Sequence, residues 1–138
     1  MKHWRLWIIG SFCLLSQSLL AQGDFYMSNA TINNCFGNFF DSDLGMPAGN
    51  YDHSENLTFT ICVPQATQIT MIFSQFCTEA VLDYIRFYDG PDTLSPLIFG
   101  PWSGGNTPPP IVATSGCLTI NFISDVSVAC TGWSAQFF

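Results

Sequence analysis

The sequence predicts an all-β protein, an antiparallel β-sandwich that is stapled by disulfides. Many short stretches alternate apolar and polar residues and are separated by Gly, Pro and Asn, which is typical of strands with one buried face. No segment carries a long apolar stripe at helical spacing. Export, argued next, makes disulfides the expected state of the cysteines.

The first residues, 1–21, are predicted to be a secretory signal peptide. A basic start precedes an apolar stretch over residues 7–20, and a small residue follows at a plausible cleavage point. Polar residues interrupt the stretch, which is short for a membrane span. We therefore expect one secreted or cell-surface domain over residues 22–138, with no membrane span after cleavage, which could be the front of a longer protein.

Cleavage would leave a strongly acidic chain. Arg86 would be its only Lys or Arg against ten acids, a formal net charge of −9. This excludes nucleic acid as a partner, because no basic patch exists to replace the counterions of a phosphate backbone. It favours cations, neutral sugars or basic protein surfaces.

The predicted strands follow one another with turns between them. They cover residues 24–34, 57–61, 69–76, 83–88, 97–99, 111–113, 118–122 and 133–137, whereas residues 36–50 read as irregular. Their alternating apolar side chains form the predicted core: Leu57, Phe59, Ile61, Met71, Phe73, Ile85, Phe87, Leu118, Ile120, Phe122, Trp133 and Ala135.

The strand over residues 83–88 is the one around which three acids are placed. Asp83 opens it, and an Asp-Gly-Pro sequence ends it in a turn. Glu79 lies just upstream, and Asp125 follows the strand over residues 118–122. By strand parity, Arg86 points away from the face of Asp83 and cannot neutralise these acids.

Several motifs, taken in order, resemble a CUB domain, the small extracellular β-sandwich module. The matching pieces are Ile72-x-x-x-Phe76-x-x-Glu79, Asp83-Tyr-Ile-Arg-Phe-Tyr-Asp-Gly90, Phe122-Ile-Ser-Asp125 and Gly132-Trp133. Other stretches look like the variant found in secreted multidomain proteins of Bacteroidetes: Asn50-Tyr51, Thr58-Phe59-Thr60-Ile61-Cys62 and Gly116-Cys117-Leu-Thr. The resemblance implies a CUB-like jelly-roll.

The resemblance also implies a calcium site. Calcium-binding CUB domains use a Glu, the Asp that opens the central strand and the Asp of a Ser-Asp pair, which correspond here to Glu79, Asp83 and Asp125. The chemistry agrees, because Ca²⁺ takes carboxylate oxygens and three carboxylates without a cation would repel one another. Tyr51 corresponds to a family tyrosine that orients a carboxylate, and it is also a candidate ligand contact.

Strand directions within this scheme predict the disulfides. Cys77 and Cys130 follow strands that run toward the calcium end, so they form the natural pair. Cys62 falls at the far end, where Cys35 or Cys117 could reach it. Cys35–Cys62 is closest to the first bridge of the family, and Cys117 would then pair with a cysteine outside this chain.

Three functions are compatible with these features. The first is a non-catalytic, calcium-binding interaction module that contacts an extracellular protein or glycan. The second is a structural spacer or surface component, and the third is a hydrolase built on His53. Asp52-His53-Ser54-Glu55 contains triad residue types, but consecutive side chains cannot form a relay by themselves. Trp102, in a Pro/Gly-rich loop, could contact a ligand or fold back over a sheet edge.

Overall fold

The computed structural model describes residues 22–43 and 49–138, which form ten strands in two five-stranded sheets. The strands are β1 Gly23–Tyr26, β2 Ala30–Ile32, β3 Gly37–Phe40, β4 Asn56–Cys62, β5 Ile69–Cys77, β6 Tyr84–Asp89, β7 Leu97–Trp102, β8 Ile111–Ala113, β9 Cys117–Ile123 and β10 Gly132–Phe137. The predicted signal peptide lies outside the described residues. Within them, no helix is long and apolar enough to cross a membrane.

The two sheets face each other, which confirms the predicted sandwich. One sheet has the order β1-β3-β10-β5-β8 and the other β2-β4-β9-β6-β7. Their inner faces meet in a core that is rich in aromatic rings, because alternate residues of each strand point inward. Trp133 lies at its centre and contacts Phe122, Phe76 and Phe39 at ring-centroid distances of 4.9, 6.1 and 6.1 Å.

The predicted core is confirmed at every position except Leu57. The other eleven side chains are buried, whereas Leu57 is half-buried near the start of β4. Leu57 still points inward, opposite Phe122 in the pairing of β4 with β9. Its register is therefore as predicted, and only its distance from the centre of the sandwich reduces its burial.

The N-terminal part of the sandwich differs from the prediction. The single strand expected over residues 24–34 is two strands, β1 and β2, which belong to different sheets and pair in parallel with β3 and β4. β3 itself lies in the segment expected to be irregular. β3 was not predicted because Gly37 interrupts the alternation of apolar and polar side chains that marks a strand. A Cβ on Gly37 would lie 2.6 Å from the Phe25 ring of β1, so this close approach requires glycine.

One of the two predicted disulfides is correct and the other is wrong. Cys77–Cys130 is present, with Cα atoms 5.5 Å apart. Cys62 pairs with Cys117 and not with Cys35, because β4 and β9 are antiparallel neighbours in which these two residues stand directly opposite each other. Their Cα atoms are 4.1 Å apart. The expectation that Cys117 needs a partner outside this chain is therefore wrong, and no described cysteine is free.

A carboxylate joins the end of β6 to the turn before β9. Asp89 accepts hydrogen bonds from the backbone N–H and hydroxyl of Thr114 at 2.9 and 2.7 Å, and from the N–H of Ser115 at 2.8 Å. Desolvation raises the pKa of Asp89, but these hydrogen bonds outweigh it and lower the pKa to about 2. The ionised form of Asp89 therefore stabilises the fold.

Truncating a ring at the centre of the core tests the sandwich register. Phe122→Ala removes a fully buried ring that contacts both Tyr51 and Trp133, and we expect it to lower the free energy of unfolding by about 3–5 kcal/mol. Ile123→Ala, one residue further on the opposite face of β9, should cost clearly less. Urea unfolding followed by tryptophan fluorescence measures both, and equal losses would contradict the register.

Replacing the carboxylate of Asp89 tests its role at acidic pH. Asp89→Asn should lower the free energy of unfolding at pH 7 by about 1 kcal/mol, because an amide cannot accept all of these hydrogen bonds. The folded-state pKa lies below the ordinary value of 3.8, so this stabilisation is present above about pH 4. It should disappear as the pH falls toward 2.

A surface acid provides the control for this titration. Asp52→Asn removes the same charge from an exposed carboxylate without these hydrogen bonds. Melting temperatures measured from pH 7 to pH 2 should show a difference from the wild type that fades at low pH for Asp89→Asn only. A pH-independent difference for Asp89→Asn would contradict the assignment.

Candidate functional site

Two loops at one end of the sandwich, β5–β6 and β9–β10, bring Glu79, Asp83 and Asp125 together. Glu79 follows β5, Asp83 precedes β6 and Asp125 follows β9. Each residue offers one carboxylate oxygen, and these oxygens lie within 4.8 Å of one another. The predicted convergence of the three acids is therefore present. The Cys77–Cys130 disulfide lies at the same end and joins the end of β5 to the β9–β10 loop.

Asp83 is the fixed member of the cluster. It is fully buried, and its Oδ1 accepts a hydrogen bond of 2.7 Å from the backbone N–H of Asp125. Its Oδ2 accepts a hydrogen bond from the Tyr51 hydroxyl. The backbone of Asp83 is held as well, since its N–H donates to the Glu79 carbonyl and its carbonyl accepts from the Thr78 hydroxyl.

The hydroxyl of Tyr51 links two of the three acids. It donates to Asp83 and accepts a hydrogen bond of 2.9 Å from the backbone N–H of Glu79. Burial raises the pKa of Tyr51, and the hydrogen bond to Asp83 raises it further, so the hydroxyl stays protonated and keeps its role as donor. Since Tyr51 is buried, the structure favours the predicted orienting role over the ligand-contact role.

Glu79 is the unsatisfied member of the cluster. Its Oε2 is buried and has no hydrogen-bond partner among the described residues. Desolvation raises the pKa of Glu79, and the carboxylates of Asp125 and Asp83 raise it further, whereas His53 lowers it. Arg86 does not relieve this repulsion, because its guanidinium lies over the Tyr84 ring on the outer face of β6. The predicted parity of Arg86 is confirmed.

The cluster fits a hard divalent cation. Two oxygens bound to the same Ca²⁺ lie at most about 5.2 Å apart, twice the longest usual Ca–O distance. The observed spacing of 4.8 Å or less is within that limit. A cation would also give the buried Glu79 Oε2 the partner that it lacks. Asp125 keeps one oxygen for such a ligand, since its Oδ1 accepts the N–H of Ser127 at 2.8 Å.

The two other candidate side chains lie outside the acidic cluster. Trp102 ends β7, packs on Phe99 with ring centroids 5.2 Å apart and donates its indole N–H to the Asn106 carbonyl at 2.8 Å. This is the predicted alternative in which the ring folds over the sheet edge. His53 is exposed and makes no hydrogen bond with any described residue, so it has no orienting group of the kind a triad needs.

Sequence reasoning missed a set of exposed aliphatic side chains around the acids. Val81 and Leu82 lie between Glu79 and Asp83, and Val126 and Val128 follow Asp125; we call these four residues the aliphatic rim. Their exposed fractions are 83, 50, 80 and 61%. Val81 and Val128 have positive φ angles of 76° and 55°, which β-branched residues rarely adopt. The sequence signal that could have revealed these side chains was the presence of Val and Leu within two otherwise polar loops.

Comparison with protein families decides what this domain is. The family model described as "CUB domain" matches residues 34–137, a range that contains both sheets except β1 and β2, and all three clustered acids. The chain belongs to the CUB family. CUB domains serve as interaction modules and are generally non-catalytic.

Known CUB-containing proteins share this sequence in part. Cubilin of the dog, Canis lupus familiaris, is 31% identical over 104 residues, which are 70% of this chain and 3% of cubilin. Multiple epidermal growth factor-like domains protein 8 of the rat, Rattus norvegicus, is 35% identical over 91 residues, 65% of this chain and 3% of that protein. The chain thus spans a small fraction of the relatives that it matches.

Solved CUB structures share the fold. The MASP-1 CUB2 domain bound to Ca²⁺ superimposes with a TM-score of 0.67 at 27% sequence identity, covering 80% of this chain and 97% of that domain. The CUB1-EGF-CUB2 fragment of rat MASP-1 gives a TM-score of 0.68 at 25% identity, covering 80% of this chain and 40% of the fragment. The first of these is a CUB domain that was solved with Ca²⁺ bound.

Removing one hydroxyl tests the link between Tyr51 and the acids. Tyr51→Phe keeps the buried ring but leaves Asp83 Oδ2 and the N–H of Glu79 without this partner, so we expect a loss of about 1–3 kcal/mol in the free energy of unfolding. Tyr26→Phe is the matched control, because the Tyr26 ring stacks on Phe40 and its hydroxyl makes no hydrogen bond within the described part. Chemical denaturation in chelator measures both, and equal stability of the two variants would refute the link.

Proposed function

We propose that this CUB domain is a secreted, non-catalytic interaction module that binds Ca²⁺ and contacts an extracellular protein or glycan. The observation that carries the proposal is the convergence of Glu79, Asp83 and Asp125, together with the buried Glu79 Oε2 that has no partner among the described residues. Three clustered acids in a chain this poor in cations favour metal binding over a purely solvating role.

Each residue has a distinct part in the proposed site. Asp83, which is buried and oriented by Tyr51, supplies the fixed carboxylate. Glu79, from the same β5–β6 loop, and Asp125, from the β9–β10 loop, join it as ligands. Bound Ca²⁺ supplies positive charge that offsets the mutual repulsion of the three carboxylates, so calcium binding and loop order are coupled.

The contact surface of the module is proposed at the same end. The aliphatic rim lies on the two loops that carry the acids and is largely exposed, and exposed apolar side chains that gather in one patch mark interaction sites. The positive φ angles of Val81 and Val128 cost stability and are maintained by the loop contacts around them, including the hydrogen bond from the Val81 N–H to the Ser103 hydroxyl. Calcium would hold this surface in one conformation.

Melting measurements test the metal site. Millimolar Ca²⁺ should raise the melting temperature of the wild type by about 10 °C relative to chelator, since a hundredfold excess over the dissociation constant adds about 2.7 kcal/mol. Asp125→Ala should abolish most of this shift. In chelator, its stability should fall little, because the loss of one carboxylate also relieves repulsion on Glu79.

Asp92→Ala is a closely matched control for Asp125→Ala. Both aspartates accept a hydrogen bond from the backbone N–H two residues later, Asp125 from Ser127 at 2.8 Å and Asp92 from Leu94 at 2.9 Å. Only Asp125 belongs to the acidic cluster. The control should keep the full calcium shift. A wild type that melts identically in calcium and chelator would refute the metal site and favour the spacer function.

A further inference from the structure

The outer face of the β2-β4-β9-β6-β7 sheet carries the only Lys or Arg of residues 22–138. The strand registers arrange its side chains in rows across β6, β9 and β4: Tyr84 with Ile123 and Asn56, Arg86 with Asn121 and Thr58, and Tyr88 with Thr119 and Thr60. Arg86 therefore stands in the middle of a polar face on which it is the single charged residue.

Arg86 has no acidic partner. All ten acids of the chain lie within the described residues, and none of them forms an ion pair with its guanidinium. Its only side-chain interaction among those residues is with the Tyr84 ring, whose centroid lies 4.3 Å from the guanidinium carbon. The Tyr84 ring holds the guanidinium in one position, as a cation–π contact does. In a domain of formal charge −9, a guanidinium without an ion pair is unusual, because acids far outnumber it.

The strand beside Arg86 packs closely against the backbone of β6. Gly100 of β7 lies next to Arg86, and a Cβ at this glycine would lie 2.6 Å from the Ile85 carbonyl oxygen and 3.0 Å from the Cα of Arg86. The φ of Gly100 is +104°, a region that favours glycine. Gly100 therefore places no side chain against the Arg86 stem, whose Cγ would lie 3.4 Å from such a Cβ, and the close approach that requires glycine here is that of the β6 backbone.

The rest of the face offers uncharged hydrogen-bonding groups and rings. Tyr84 and Tyr88 flank Arg86 at alternate positions, about 7 Å away on either side along the strand. Asn121 is buried beside it and donates to the Asn56 side chain, the Leu57 carbonyl and the Thr58 hydroxyl at 3.2, 3.0 and 3.3 Å. This network keeps the surface next to Arg86 rigid.

We propose that this face binds a sugar that carries a carboxylate, a uronic acid residue within an otherwise neutral glycan. The planar guanidinium of Arg86 matches a carboxylate with two parallel hydrogen bonds. Tyr84 and Tyr88 provide rings and hydroxyls for the sugar, while Thr58 and Asn56 add polar groups suited to its hydroxyls.

The charge of the whole domain limits how acidic that glycan is. Ten acids against one Arg repel a densely charged polyanion, so a polymer with a carboxylate on every sugar fits poorly. Isolated carboxylates spaced by neutral sugars meet Arg86 with a smaller penalty, because fewer negative charges approach the domain. An acidic peptide offers the same carboxylate, but the two tyrosines and the accessible Asn56 and Thr58 favour a saccharide.

Paired oligosaccharides test the proposal directly. A xylo-oligosaccharide bearing one glucuronic acid branch and the unbranched xylo-oligosaccharide of equal length are titrated into the wild-type chain by calorimetry and by NMR. We expect the branched probe to bind at least tenfold more tightly and to shift resonances of Arg86, Tyr84 and Tyr88. A fully charged oligogalacturonate and a Gly/Ser peptide with one glutamate should bind more weakly than the branched probe.

Variants assign the carboxylate contact to Arg86. Arg86→Gln should reduce affinity for the branched probe at least tenfold, and Arg86→Lys should restore it only in part, because an ammonium lacks the planar fork. Tyr88→Ala keeps Arg86 and should weaken both oligosaccharides. Gln136→Ala, an exposed change on the outer face of the other sheet, is the control and should bind as the wild type does. The melting temperature of each variant confirms folding.

The outcomes distinguish this face from the calcium site. Binding should be the same in calcium and in chelator at a temperature where the domain is folded, whereas the proposed calcium function is measured by the melting shift of Asp125→Ala. Equal binding of the two xylo-oligosaccharides, no binding of either, full affinity of Arg86→Gln, or a preference for the glutamate peptide would each overturn the proposal.

Discussion

The hydrogen bond from the Tyr51 hydroxyl to Asp83 connects the core of this domain to its acidic end. The ring of Tyr51 packs edge-on against Phe122 at 4.9 Å, and Phe122 packs edge-on against Trp133 at the same distance. The hydroxyl reaches beyond the core to Asp83 and to the backbone of Glu79. A well-packed aromatic core therefore fixes the position of the buried carboxylate.

That arrangement carries an electrostatic cost in the absence of a cation. Three carboxylate oxygens converge without a nearby Lys or Arg, and the raised pKa of Glu79 reflects first its desolvation and then its acidic neighbours. Disulfides, the Tyr51 hydrogen bond and the loop contacts hold the acids in place regardless, because these constraints come from the fold and not from the site. The fold thus holds three acids close together at the expense of stability, and such a cost is typical of residues kept for function.

Much of this architecture could be predicted from period-two patterns and from the spacing of the acids, because both are local. Glu79 and Asp83 share one short loop, and Asp125 follows a strand that ends on the same side of the sandwich, so their convergence was predictable. The partner of Cys62 was not, since it depends on which strand lies beside β4, a choice made by the whole sheet. β3 was missed because glycine at position 37 is required by the close approach of the Phe25 ring from β1, a contact that the local sequence does not show.

The unpaired state of Arg86 illustrates the same division between local and global information. Parity alone places Arg86 opposite to Asp83, but only the assembled sheet shows that no acid comes near it and that Tyr84 supports it. The domain thereby separates two chemistries, a cluster of acids at the end of the sandwich and a single cation on the flat of one sheet. Since the intervening strand β6 begins at one and passes through the other, one rigid element positions both without bringing their opposite charges together.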